Sequence, residues 1–162
     1  MALRKPLVIV AGLVEQIQAG DTLDATVAEI ETITQTSGEA GGIVIGSPVY
    51  SSAADTVKKA EANASGTIEA IGIAKSTFVT TGTGTVQTSG VLTLTTAQWD
   101  AVATGDSQSG GLTAGAVYYL DDAVVGEITV TAPTDAGKYV LRLGKGISTT
   151  ELLIDIGEPI LL

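Results

Sequence analysis

The adjacent carboxylates Asp121 and Asp122 could do chemistry, as calcium ligands or as an acid–base pair. Neighbouring residues of a strand point to opposite faces, so a dyad here would need a turn. The DxDxDG loop with its distal glutamate is absent. The pair therefore reads as a solvated hairpin turn that follows Tyr118-Tyr119. Gly82-Thr83-Gly84-Thr85 has the glycines of a phosphate loop without its lysine or the helix that should follow, and also reads as a hairpin turn. Ser76 or Ser148 could act as a nucleophile only beside a buried lysine. Lys75, next to Ser76, would point the other way in a strand. Lys58-Lys59 and Lys145 form no basic patch interleaved with aromatics, so a nucleic-acid surface is not expected. Trp99, the single tryptophan, could stack on a carbohydrate. On a short amphipathic turn it reads instead as an anchor into the core, with Tyr50, Tyr118 and Tyr119 filling gaps between small aliphatic side chains.

What the chain lacks narrows the chemistry further. It has no histidine and no cysteine. A Ser-His-Asp triad, a thiolate nucleophile and a disulfide are all excluded, and zinc or copper chemistry loses its usual ligands. A carboxylate glycosidase would need two acids held ~5–10 Å apart in a cleft, which spacing along a chain does not reveal. The expectation is a non-enzymatic protein with no cofactor and no metal. Eighteen acidic against eight basic residues give a net charge of −10. Such a surface repels nucleic acid and anionic membranes at long range, and the scatter of the acids fits a role in solubility. No run approaches the ~20 apolar residues of a membrane helix. The start, Met1 to Pro6 followed by the apolar run 7–14, has the order of a signal peptide, but Gly12 interrupts it and no small-x-small site follows.

The elements that must position these residues are strands. Apolar residues make up 44% of the chain and aromatics only 4%, so the core is Ala, Val, Ile and Leu, accompanied by many threonines and 20 glycines. β-branched residues favour strands, and glycine marks turns and bulges. Residues 7–14 read as a strand that turns near Ala11-Gly12 and returns toward Glu15-Gln16-Ile17. Residues 26–30 fit a strand or a short helix equally well. Residues 1–36 hold too few apolar side chains to fold alone and read as an arm, followed by a β domain over 37–162. Val91-Leu92-Thr93-Leu94 reads as a strand, and Thr95-Thr96-Ala97-Gln98-Trp99-Asp100-Ala101-Val102 as one or two helical turns with a threonine N-cap. The tail Pro159-Ile160-Leu161-Leu162 is strongly apolar and reads as packing on a neighbour or on the arm.

Within the β domain the sequence repeats approximately. Gly41-Gly42-Ile43-Val44-Ile45-Gly46-Ser47-Pro48-Val49-Tyr50 matches Gly110-Gly111-Leu112-Thr113-Ala114-Gly115-Ala116-Val117-Tyr118-Tyr119. Ala70-Ile71-Gly72-Ile73-Ala74-Lys75-Ser76-Thr77 matches Arg142-Leu143-Gly144-Lys145-Gly146-Ile147-Ser148-Thr149. Both pairs are separated by about 70 residues, as two copies of one unit would be, with units over about 41–94 and 110–156. Each unit is expected to hold a tyrosine-bearing strand and a second strand bulged at Gly72 or Gly144. Chance similarity in a Gly/Thr/Ala-rich chain is the rival explanation.

The opening, with its basic start, apolar hairpin and Gln16-Ile17-Gln18-Ala19-Gly20-Asp21-Thr22-Leu23, resembles the first residues of small bacteriophage structural proteins. The second unit resembles a module of phage virion proteins. It runs Gly111 to Leu120, Ile128-Thr129, Ala132-Pro133-Thr134, then Tyr139-Val140-Leu141-Arg142-Leu143-Gly144 and Ser148 to Ile154. The resemblance implies a capsid decoration or cement protein of the head-fibre type. Tail-fibre, baseplate or receptor-binding components are the alternative. It implies an all-β fold, a small β-barrel or tulip-like module with an extended N-terminal arm, commonly a homotrimer. The implied place is the surface of the virion, after synthesis in the host bacterial cytoplasm. The implied partner is the major capsid protein, or else tail or baseplate proteins, and neither nucleic acid nor membrane. The motifs are turn and strand patterns, so they carry no functional residue. The assembly contacts expected from the apolar arm and tail are Leu7, Val8, Ile9, Val10, Ile160, Leu161 and Leu162.

Overall fold

A computed structural model describes residues 31–105 and 107–162, together with two N-terminal strands, β1 (Leu7–Val10) and β2 (Leu13–Gln16). β1 and β2 pair antiparallel from Leu7↔Gln16 to Val10↔Leu13, which is the hairpin that the run of apolar residues predicts. The possible helix over 26–30 lies outside the described residues.

The body is built almost wholly from strands. The first five are β3 (Thr32–Ser37), β4 (Pro48–Ala53), β5 (Thr56–Lys59), β6 (Ala70–Ala74) and β7 (Thr83–Gln87), and they close into a barrel in the order β3-β5-β4-β6-β7. All neighbours are antiparallel except β3 and β5, which meet in parallel at Thr36↔Thr56 and Ser37↔Val57. Ile43, Val49, Val57, Ala74, Phe78 and Val86 fill the interior, with Ile33 and Ile71 packed against them. A five-stranded barrel this narrow has room for small aliphatic side chains and little else. One aromatic fits, because the Phe78 ring lies against Gly84, where a Cβ would collide with it. β3 begins at Thr32 and is a barrel stave, so residues 32–36 of the arm segment belong to the body.

The second sheet follows the same plan. β8 (Gly90–Thr93), β9 (Val117–Leu120), β10 (Ile128–Thr129), β12 (Arg142–Gly146) and β13 (Glu151–Ile154) line up as β10-β9-β12-β13-β8. The barrel unrolled reads β5-β4-β6-β7-β3, with the equivalent strand at every position. The irregularities match as well. In the first unit the β4–β6 ladder steps from Val49↔Gly72 to Tyr50↔Ala70, skipping Ile71. In the second the β9–β12 ladder steps from Tyr118↔Gly144 to Tyr119↔Arg142, skipping Leu143. Gly46 N donates to Ala74 O, and Gly115 N to Gly146 O, both at 2.8 Å. Gly46 and Gly115 have φ of 91° and 84°. At Gly72 the carbonyl oxygen of Gln87 occupies the place of a Cβ, as does that of Leu153 at Gly144. The two units thus share strand order, bulges and close backbone approaches. β8 lies in the second unit, although the repeat read from residue types places residues 90–94 in the first.

The units differ at closure. Where Thr36 and Ser37 of β3 meet β5, the chain after β8 turns instead into a helix, α1 (Thr96–Asp100). A threonine caps it as expected, and it is Thr95: its hydroxyl accepts from Gln98 N, and the Gln98 side chain accepts from Thr95 N, a capping box. α1 drops Trp99 into the core, and Ile128 N of β10 donates to Val102 O just beyond the helix. The second sheet is thus plugged by a helix rather than closed by a strand.

One core cluster spans both units. Ala60, Ala62, Ile68 and Ile73 of the first pack with Leu92, Trp99, Leu112, Tyr118, Leu120, Leu141 and Leu143 of the second. Main-chain bonds stitch the same seam: Ala62 N to Asp121 O and Tyr139 N to Ala62 O, both at 2.9 Å, and Gly126 N to Ala60 O at 2.8 Å. Two short strands finish the chain, β11 (Tyr139–Val140) and β14 (Ile160–Leu161), paired antiparallel at the surface.

Candidate functional site

An open cleft of about 230 Å³ lies between the loop after β9 and the segment after β10, lined by Gly105, Asp121, Asp122, Thr129, Thr131 and Asp135 among others. The carboxylates in it serve the local structure. Asp121 Oδ1 accepts from Ala123 N (2.7 Å) and Val124 N (2.8 Å), so its side chain satisfies two turn amides. Asp122 pairs with Lys138, whose Nζ also donates to the Asp122 carbonyl at 3.1 Å. The β9–β10 turn expected at this pair is present and exposed at Ala123, Val124 and Val125, while Asp121 itself is buried. Among the described residues no group of three or more acidic side chains is placed to hold a metal ion.

The other chemical candidates resolve in the same way. Trp99 is fully buried and its Nε1 donates to Thr150 O at 3.0 Å, so no face is left for a sugar. Ser76 Oγ accepts from Thr85 N at 2.9 Å, and Ser148 Oγ donates to Glu151 at 3.0 Å. Lys75 and Lys145 are exposed and offer neither serine a buried base. The turn expected at Gly82 to Thr85 falls earlier, over residues 79–82, where Gly82 N donates to Val79 O at 2.9 Å. Thr83 to Gln87 is strand β7, because threonine's branched Cβ suits the pleat better than the turn. Tyr50 and Tyr119 occupy equivalent, half-buried strand positions, while Tyr118 is buried with its hydroxyl accepting from Thr113 N at 2.8 Å.

What stands at the surface is apolar. Ile160 and Leu161 of β14 are 61% exposed and Leu162 43%. Main-chain bonds tie the end of the chain down beside β11: Leu162 N donates to Lys138 O, and Gly137 N to Leu162 O, both at 3.0 Å. Leu7, Val8, Ile9 and Val10 form β1 of the hairpin. The sequence did not point to a second apolar area, on the outward face of the second sheet. There Val91, Leu153, Lys145 and Val117 stand side by side across four strands. Alternation within Val91-Leu92-Thr93-Leu94 does reveal that Val91 and Thr93 share a face opposite Leu92 and Leu94. It does not reveal which strand lies next door. The chain matches no protein-family model and no curated protein.

Proposed function

We propose that this chain is a non-enzymatic structural protein of a bacteriophage particle, which decorates the capsid and stabilises it by binding its outer surface. The observation that carries the reading is the exposed apolar strand Ile160–Leu161 with Leu162, a surface strand tied down by main-chain bonds and presenting its side chains outward. The virion-like pattern of the second unit supports it, as does the apolar hairpin that precedes the barrel. Contacts through Leu7 to Val10 and Ile160 to Leu162 need only complementary surface, and binding that favours the assembled shell stabilises it by mass action. The major capsid protein is the proposed partner, and a homotrimer the favoured form.

Immuno-gold labelling of intact particles, combined with the solution mass of the purified chain, tests this directly. Label over the whole head and a trimeric mass are expected. Label confined to the tail tip would replace this reading with a tail-fibre or baseplate role. Ile160→Asp with Leu161→Asp should leave folding stability within about 0.5 kcal/mol, since both side chains are exposed. The same pair should lower incorporation into particles about tenfold or more. Unchanged incorporation would remove the tail as the shell contact.

A further inference from the structure

Among the described residues strand β8 pairs with β13 alone, so its other edge is open. The ladder identifies the groups on that edge. Leu94 N donates to Thr150 O at 2.9 Å, so by antiparallel alternation Leu94, Leu92 and Gly90 bond toward β13. The N–H and C=O groups of Val91 and Thr93 face outward. The usual guards of an edge are missing, since Gly90-Val91-Leu92-Thr93 has no charge and no proline, and its register with β13 has no bulge. Beside the edge, Val91 stands opposite Leu153, 45% and 41% exposed, so an added strand would also cover apolar side chains.

The segment that precedes the barrel joins the body next to this edge. Glu31 O accepts from Thr88 N at 2.7 Å, and the Glu31 carboxylate lies against Gly90, the first residue of β8. That segment carries the β1–β2 hairpin, which among the described residues is a sheet of two strands. A hairpin of four pairs is marginal in water until it packs or gains a strand. Among the described residues, the open edge and the hairpin are not paired with each other. We propose that the β1–β2 hairpin of one copy adds to the β8 edge of a second copy, extending its five-stranded sheet to seven. Residues 17–30 between hairpin and body can span roughly 45–50 Å when extended, enough to reach a neighbour. Donor and acceptor are different surfaces, so the contact is head-to-tail and closes into a ring when the rotation allows, as in a trimer. The inference shares with the proposed function only the treatment of the hairpin as an intermolecular contact, and particle labelling tests that function separately.

Hydrogen exchange on the full-length chain, read at single amides across a dilution series, tests the inference. In the oligomer the Val91 and Thr93 amides should exchange roughly a hundredfold more slowly than in the diluted monomer. Val14→Pro, which places a proline inside strand β2, should abolish that slowing while Leu92 stays protected. Fast exchange of Val91 and Thr93 at every concentration would overturn the inference, and so would protection that persists in the monomer or that survives Val14→Pro. The absence of native cysteine gives a second measurement. Val8→Cys combined with Thr93→Cys should form disulfide-linked chains on oxidation. Equal linkage by Thr93→Cys alone would mean that β8 pairs with β8, against the proposal.

Discussion

The indole of Trp99 sits where the second sheet fails to close, fully enclosed and with its N–H satisfied by Thr150 O. Trp99→Ala should therefore cost about 3–5 kcal/mol. Trp99→Phe keeps most of the packing and loses the bond, so it should cost about 1–2 kcal/mol. Urea unfolding followed by far-UV circular dichroism reads both, and a cost below about 1 kcal/mol for the alanine variant would deny Trp99 its role as the plug. The glycines make a sharper comparison. Gly144 lies flush against Leu153 O, so Gly144→Ala forces two backbones apart and should cost about 3 kcal/mol or more. Gly115 has φ of 84° but open space around it, so Gly115→Ala should cost only the left-handed strain, about 1–2 kcal/mol. The order of the two melting temperatures checks the argument.

At the scale of elements, α1 spans five residues and has little stability of its own. Its position depends on Trp99 at one face and on the capping box at its start. Removing the cap by Thr95→Ala should cost about 1 kcal/mol, while Thr95→Ser or Thr95→Asp should stay within a few tenths. Thr95 is exposed, so denaturant midpoints report the cap alone. A loss as large for serine as for alanine would mean that the threonine methyl, not the hydroxyl, carries the effect. Beyond the helix, Asp100 accepts from Gly110 N (3.0 Å) and Gly111 N (2.8 Å), tying the loop into β9 back to α1. The element that closes the second unit thereby also fixes the entry to its tyrosine strand.

On the scale of the whole molecule, the shared core makes the two units one cooperative body. Ile73 of the barrel wall turns outward into the seam, while its neighbour Ala74 turns into the barrel. Neither unit can lose its structure without exposing the apolar face of the other. Thermal unfolding read by Trp99 fluorescence, which reports the second unit, should coincide with unfolding read at β3 and β7 amides in the first. Two separated transitions would show that the seam is too weak to couple them. Ile73→Ala should lower both together, by about 2–5 kcal/mol.

Residue types alone determined the β class, the hairpin at the start, a threonine cap on the short helix, the inward Trp99 and the bulged glycines at 72 and 144. Each of these rests on local chemistry: branched side chains fit the pleat, a threonine hydroxyl reaches an amide three residues on, and glycine alone permits a close backbone approach. The absence of histidine and cysteine likewise closed off whole classes of chemistry before any fold was known. Tertiary structure decided the rest. That β3 closes on β5 while β8 remains an edge depends on what fills the gap between sheet ends, a small barrel core in one unit and Trp99 with Val102 in the other. Asp121 reads as solvated from its neighbours along the chain, and only the folded turn shows it buried, with its carboxylate on the Ala123 and Val124 amides. A period of two tells which face of a strand is buried, but the identity of the neighbouring strand is a long-range choice set by packing, and an open edge is visible only once every neighbour has been placed.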